Sequence, residues 1–142
     1  MIRRANLNDI SNIINLEHKI FNQSLGKIIL ENIYNNYPFS NILVYEIDKQ
    51  IIGYLSYRLN DKNSELLNFL IDTNFQRKGY GSKLFDYYID ELKRNKVESI
   101  ILEVRSKNEK ALSFYNKYKP TFIKTIKNYY INDDAIVLLI RI

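Results

Sequence analysis

The chain has no cysteine, no tryptophan and one histidine, His18, among 142 residues. The lack of cysteine excludes disulfides, thiolate metal ligands and a cysteine nucleophile. A lone histidine excludes a multi-histidine metal centre, and no metal is expected. Four glycines and two prolines leave little room for flexible linkers. Uninterrupted apolar runs extend over only a handful of residues, far short of the ~18 that would span a bilayer. The opening Met1-Ile2-Arg3-Arg4 leads into Asn and Asp rather than an apolar segment, so no export signal is read and a cytoplasmic protein is expected.

What is present describes a single globular domain over residues 1–142, with 46% apolar and 26% charged residues. The chain is rich in Ile (22), Asn (18), Lys (14) and Tyr (12), all with AT-rich codons. Residue type alone is therefore weak evidence for chemistry here, and position must carry it. The net charge is +5. Residues 1–70 hold seven basic and seven acidic side chains, and residues 71–142 hold fourteen and nine, so the whole excess lies in the second half. Such an excess suits a solvated face, nucleic acid or a polyphosphate-bearing ligand. No helix-turn-helix, zinc-finger or RNA-recognition signature accompanies it, so sequence-specific nucleic-acid binding is not expected.

Periodicity predicts a strand at Met1–Ala5 and a helix over Asn8–Phe21, capped by Asn6 or Asn8. A second helix is expected over Leu25–Tyr34, with Ser24 as a candidate cap and Tyr37-Pro38 as its stop. Strands follow at Asn41–Ile47 and Gln50–Leu59 around an Asp48-Lys49 turn, then a polar turn at Asn60–Ser64 and a strand at Glu65–Ile71. Gly81–Asn95 reads as a helix with Leu84, Phe85, Tyr88, Ile89 and Leu92 on one face. A strand at Ser99–Val104, a helix at Asn108–Lys119 stopped by Pro120, and strands at Phe122–Tyr130 and Ala135–Ile140 complete the chain. The strand–helix–strand unit in the middle should be parallel, within an α/β sheet that is otherwise antiparallel and carries helices on both faces.

Two of the four glycines, Gly79 and Gly81, lie in the turn between the strand ending at Ile71 and the following helix. A strand–loop–helix start aims free N–H groups and the positive helix end at an anion, and Arg77 and Lys78 add full charge. An ordinary tight turn gives the same local pattern. A dinucleotide fingerprint needs a third glycine where Leu84 stands, and a Walker A loop needs Gly-Lys-Ser/Thr, which is absent.

The segment Gln76-Arg77-Lys78-Gly79-Tyr80-Gly81 resembles the [QR]-x-x-G-x-[GA] signature of the GNAT superfamily of N-acetyltransferases, whose element order is also similar. The likeness continues through Leu102-Glu103-Val104-Arg105, Asn108, Ala111 and Phe114-Tyr115, and through Asn128-Tyr129-Tyr130 with Asp134-Ala135-Ile136, which resemble the RimI type. It is continuous over about residues 65–142 and weaker before, where Glu17 and Phe21 fit a helix-end pattern of the type. Two departures stand out. Asn22-Gln23-Ser24 replaces a Pro-Trp-Ser-like loop on the acceptor side, and Lys119-Pro120-Thr121-Phe122 replaces a Gly-Phe turn.

The resemblance implies a GNAT fold, a mixed, mostly antiparallel sheet of six to seven strands with about four helices, and acetyl-CoA as cosubstrate. It implies that Arg77, Lys78, Gly79, Tyr80, Gly81 and Ser82 hold the pyrophosphate, and that the strand at Phe69, Leu70 and Ile71 pairs with the pantetheine arm. Asn108 would hydrogen-bond CoA. The RimI type implies a protein N-terminus as acceptor, that of a small-subunit ribosomal protein. A monomer or weak homodimer without membrane contact is expected.

The implied reaction is direct attack of an amine on a thioester, and the amine must be neutral. An α-amine, with a pKa near ~7.7–8.0, is roughly one-tenth neutral at pH 7, some hundreds of times more than a lysine side chain. A carboxylate can then serve as base, directly or through one water. Glu103 interrupts the apolar run Ile100-Ile101-Leu102 and Val104, where strand burial should raise its pKa. Pairing with Arg105, two residues on and on the same face, is the structural alternative. Tyr115 is the acid implied for the leaving thiolate. It follows Asn108 by seven residues, two helical turns on one face. A backbone N–H near Leu70 or Ile71 would stabilise the oxyanion. Two other readings stay open: an acetyltransferase of a small-molecule amine, and a non-catalytic ribosome- or RNA-associated module.

Overall fold

A computed structural model describes residues 1–21 and 24–142. It holds seven strands and four α-helices: β1 (Ile2–Arg4), α1 (Ile10–Phe21), α2 (Lys27–Asn35), β2 (Ser40–Ile47), β3 (Gln50–Asn60), β4 (Asn63–Ile71), α3 (Tyr80–Arg94), β5 (Ser99–Arg105), α4 (Glu109–Asn116), β6 (Thr121–Tyr130) and β7 (Asp133–Arg141). The element order is the one read from periodicity. One sheet runs β1-β2-β3-β4-β5-β7-β6, antiparallel throughout except for the parallel pair β4–β5.

The sheet buries both faces at its centre. On β2 and β3, Ile42, Val44 and Tyr54 pack with Ile10, Ile13 and Leu16 of α1 and Leu30 of α2. Leu43, Tyr45 and Leu55 point the other way, onto Leu84, Phe85, Tyr88 and Leu92 of α3. The alternation of a pleated strand thus feeds two cores, one under each helix pair. The tight Asp48-Lys49 turn is made with both residues in the left-handed region, φ +50° and +64°.

Several boundaries differ from the sequence reading, each for a local reason. β3 and β4 run further toward each other, pairing Asn60 with Asn63, so the expected five-residue turn shrinks to Asp61-Lys62. α2 begins at Lys27 with Gly26 (φ +92°) as its N-cap, because Ser24 spends its hydroxyl elsewhere. α4 stops at Asn116. The N–H of Lys117 turns back to the Phe114 carbonyl and Lys119 adopts φ +53°, which carries the chain to Pro120 without continuing the helix.

Candidate active site

β4 and β5 pair only from Asn63 opposite Ser99 to Glu65 opposite Ile101. Beyond that point β4 stays on β3 as far as Ile71 and β5 stays on β7 as far as Arg105, so the two strands part and a gap opens between them. A bulge helps to part them. Tyr57 faces Leu66 while Ser56 faces Asn68, leaving Leu67 as the extra residue that bends β4.

The Asp72 N–H donates to the Ile52 carbonyl at 2.7 Å. Alternation along an antiparallel ladder then turns Leu70 toward β3 and leaves the N–H and C=O of Phe69 and Ile71 directed at the gap. Of the three residues expected to pair with pantetheine, Phe69 offers its carbonyl and Ile71 its N–H, the Phe69 N–H being held by Asn68 Oδ1 at 3.2 Å, and Leu70 contributes a buried side chain on the α1 side. Gln76, part of the signature but not singled out as a site residue, donates from Nε2 to the Ile71 carbonyl at 2.8 Å.

The start of α3 follows directly. Gly79 is left-handed, φ +85°, and no side chain caps the helix. The first intrahelical acceptor is used by Lys83, whose N–H reaches the Gly79 carbonyl at 3.1 Å. The N–H groups of Tyr80, Gly81 and Ser82 therefore lack intrahelical acceptors. Exposed Arg77 and Lys78 flank them. Lys117 Nζ donates to Ser82 Oγ at 2.7 Å, and Lys110 Nζ donates to Gln76 Oε1. The basic second half of the sequence thus converges on a helix N-terminus, a site suited to a polyphosphate anion.

Asn108 does something else first. It is the N-cap of α4, its Oδ1 accepting the Ala111 N–H at 3.1 Å, so only its Nδ2 remains for a ligand. Tyr115 sits on α4 with its ring against Phe85 and Phe114, centroids 5.8 and 5.4 Å away. Only 7% of the residue is exposed, and its hydroxyl makes no hydrogen bond among the described residues. Burial pushes its pKa well above the usual phenol range, and Tyr130 adds to the rise.

Glu103 corrects the sequence reading. On β5 the residues Ile100, Leu102 and Val104 are buried toward α3 and α4, while Ile101, Glu103 and Arg105 face outward on the other side. Glu103 is exposed, so the expected strand burial is absent. The pair with Arg105 does not form either, since the Arg105 guanidinium lies over the Tyr130 ring at 4.1 Å. The neighbours of Glu103 are aromatic. Its carboxylate raises the pKa of Tyr129, and it adds to the effect of burial in raising that of Tyr130. Tyr130 is thus close enough to feel Glu103 and to influence Tyr115. Neither Tyr129 nor Tyr130 was singled out as a site residue, although the Asn-Tyr-Tyr motif was the signal for both.

A latch holds this corner. Asp133, the first residue of β7, accepts the Ser106 hydroxyl and, at 3.1 Å, the Lys107 N–H, while Lys107 Nζ reaches the carbonyl of Asn132 in the β6–β7 turn at 2.9 Å. The loop that leads to Asn108 is thereby tied to the turn beside Tyr130. His18 is exposed on α1, and Asn22 and Gln23 of the acceptor-side loop lie outside the described residues. Among the described residues no cluster of His, Asp or Glu could hold a metal ion, and no helix is long and apolar enough to cross a membrane.

Residues 7–119 match the Acetyltransferase (GNAT) family. A Bacillus subtilis protein, provisionally named a [ribosomal protein bS18]-alanine N-acetyltransferase, is 27% identical over 99% of this chain and 95% of its own length. The [ribosomal protein bS18]-alanine N-acetyltransferase of Salmonella typhimurium is 35% identical over 81 residues, 54% of this chain and 55% of that one. The crystal structure of the ribosomal-protein-S18-alanine N-acetyltransferase from Escherichia coli superposes with a TM-score of 0.91 at 21% identity, over 100% of this chain and 93% of that one.

Proposed function

The chain belongs to the GNAT acetyltransferase family, and from that premise we propose that it acetylates the N-terminal α-amine of a protein, with a small-subunit ribosomal protein as acceptor. The observation that carries this reading is the gap between β4 and β5. One strand edge turns the Phe69 carbonyl and the Ile71 N–H toward an extended amide chain, and the helix start beside it offers unpaired N–H groups ringed by Arg77, Lys78, Lys110 and Lys117. Those groups fit an ordered pantetheine arm and a pyrophosphate. Acetyl-CoA supplies the thioester. The relatives named for bS18 acetylation support the choice of acceptor.

In this reading the amine nitrogen attacks the thioester carbonyl, a C–N bond forms and the C–S bond breaks. Glu103, reachable by water, takes the proton of the attacking amine. Tyr115 gives its proton to the departing thiolate, which its hydroxyl, unpartnered among the described residues, is free to do. The Ile71 N–H, directed into the gap, is the backbone donor for the carbonyl oxygen as charge develops. An α-amine suits this single-carboxylate arrangement because a tenth of it is already neutral at pH 7, on the order of hundreds of times more than a lysine side chain.

Incubation with acetyl-CoA and peptides carrying ribosomal-protein N-termini, read by mass spectrometry, tests the proposal. A 42 Da gain (roughly one acetyl, by mass) on the α-amine is expected. Acetylation confined to lysine side chains or small amines would transfer the activity to another acceptor class.

A further inference from the structure

Glu17 is a buried ionisable group that the transfer chemistry does not use. It lies on α1 with 1% of its surface exposed, and no cation pairs with it among the described residues. Its carboxylate instead accepts from three neutral donors: the Tyr54 hydroxyl at 2.7 Å, the Ser24 hydroxyl at 2.8 Å and Asn68 Nδ2 at 3.0 Å. Burial, together with the proximity of the carboxylate, drives the Tyr54 pKa far above its ordinary value.

Each donor leads to a different part of the site. Tyr54 is on the central strand β3. Ser24 precedes α2, and its oxygen also accepts the Gly26 N–H at 2.9 Å. Asn68 is at the bulge of β4. Its Nδ2 donates to the Tyr54 oxygen as well, at 2.7 Å, and its Oδ1 accepts the Phe69 N–H at 3.2 Å. That N–H lies on the edge facing the gap.

Burying a charge without a counter-ion costs stability, so these contacts do not explain the carboxylate as a stabiliser. Its distinctive property is that it only accepts. Accepting from all three donors at once, the carboxylate makes the Asn68 amide turn its NH2 inward and its carbonyl toward Phe69. A glutamine keeps only one accepting oxygen: set toward Tyr54 and Asn68, its NH2 would meet Ser24 Oγ, whose hydroxyl would have to turn away. Glu17 also lies on the face of the sheet to which Glu103 points, opposite the helix start that meets the phosphates.

We propose that Glu17 is a positioning residue for the acceptor. Through Ser24 it holds the approach to α2 and through Asn68 the Phe69 edge of the gap in one fixed relation, and so aligns the incoming amine against the cofactor edge. This rests on the transfer reading given above.

The test uses Glu17→Gln, Asn68→Asp and the double variant that exchanges carboxylate and amide between the two positions. Glu17→Gln should raise KM for the acceptor peptide by about tenfold and weaken acetyl-CoA by clearly less, through the shared Phe69 edge. The double variant restores one carboxylate and one amide to the pair and should recover most of the loss. Unchanged KM, an equal loss of acetyl-CoA affinity, or no recovery in the double variant would overturn the proposal. Amide hydrogen exchange supplies a readout independent of activity. Glu17→Gln should speed exchange at Gly26 and Phe69 and leave β5 to β7 unaltered. If the wild type acetylates no peptide N-terminus, the acceptor reading falls by itself, and the exchange pattern still decides whether Glu17 couples the two segments. A uniform or absent change there overturns the coupling.

Discussion

The Lys19 ammonium donates to both carboxylate oxygens of Asp72, at 2.8 and 3.0 Å, across 53 residues of sequence. Asp72 is 3% exposed, caps the short 3-10 turn Thr73–Phe75 by accepting the Asn74 N–H at 3.1 Å, and closes the β3–β4 ladder through its own N–H. The end of α1 is therefore pinned to the point where β4 turns toward the phosphate-facing helix. Burial alone would raise the Asp72 carboxyl. Lys19 and the Asn74 N–H outweigh it and leave the pKa below the usual carboxylate value.

That direction fixes a pH dependence. A carboxyl with a lower pKa in the folded state stabilises the fold above its unfolded value of 3.8, and the contribution is lost as pH falls through the folded value. Asp72→Asn should cost about 1–3 kcal/mol near neutrality, toward the lower end because Lys19 is half exposed and screened. In urea unfolding followed against pH, the gap between variant and wild type should be flat well above the unfolded value of 3.8 and close as pH falls through the lower folded value. A gap that persists at low pH would mean that the carboxylate charge is not what pins the helix.

The two glycines of the signature should behave differently. Gly79 has φ +85°, where a Cβ costs about 1–2 kcal/mol, so Gly79→Ala should lower both the unfolding free energy and acetyl-CoA affinity. At Gly81 a Cβ would meet Ile71, Phe114 and Phe69 at 3.7 to 3.8 Å, ordinary contact distances. Gly81→Ala should leave stability unchanged or slightly raised, since alanine favours helix by about 1 kcal/mol over glycine. Its cost should fall on acetyl-CoA affinity alone. Calorimetric titration beside thermal unfolding separates the two effects.

Much of this was legible because it depends on local pattern. The element order follows from periodicity of 3.6 or 2, and the helix start from Gly79, Gly81 and their cations. The gap itself depends on the Leu67 bulge and on the separate pairing of β4 with β3 and of β5 with β7, which local pattern does not show. Glu103 was misplaced because an acidic residue within Ile100–Val104 reads as buried only if the strand is covered on both faces. One face of β5 is open, and strand coverage is a property of the whole sheet. Glu17 escaped for a different reason. It stands in the sequence only as part of a helix-end pattern with Phe21, and its three donors come from residues 24, 54 and 68, which no local pattern joins. Lys19 and Asp72 form another pair that no spacing rule could join.

Gly53 carries a requirement that only the folded chain exposes. It lies on β3 opposite Ile71, and a Cβ there would stand 2.5 Å from Ile71 Cδ1 and 2.9 Å from the Leu70 carbonyl oxygen. The side chain can give way, but the backbone oxygen belongs to the strand that borders the gap. Gly53→Ala should cost about 1–3 kcal/mol and displace the Ile71 edge, lowering acetyl-CoA affinity with it. Adding Ile71→Val removes the methyl group nearest the new Cβ. The pair should recover part of the stability and little of the affinity, because the Leu70 oxygen remains in the way. Full recovery of affinity would show that the obstruction is the side chain alone.

Tyr115 and Glu103 should part company in their pH profiles. Burial raises the Tyr115 pKa, so its phenol stays protonated throughout the range in which the acceptor amine loses its proton, near ~7.7–8.0. The rate should therefore rise with pH through the amine's titration, with no descending limb from Tyr115 below about pH 10. Tyr115→Phe should lower kcat by about 10²–10⁴ at every pH without moving the rising limb, since it removes a donor that does not titrate there. Glu103→Gln should lower kcat most below the amine's pKa, where a base is needed, and least above it. At high pH the amine is already neutral, so the two variants should diverge, with Glu103→Gln approaching wild type and Tyr115→Phe remaining depressed. Parallel profiles for both variants would place Glu103 outside the proton path and leave Tyr115 as the group that moves a proton.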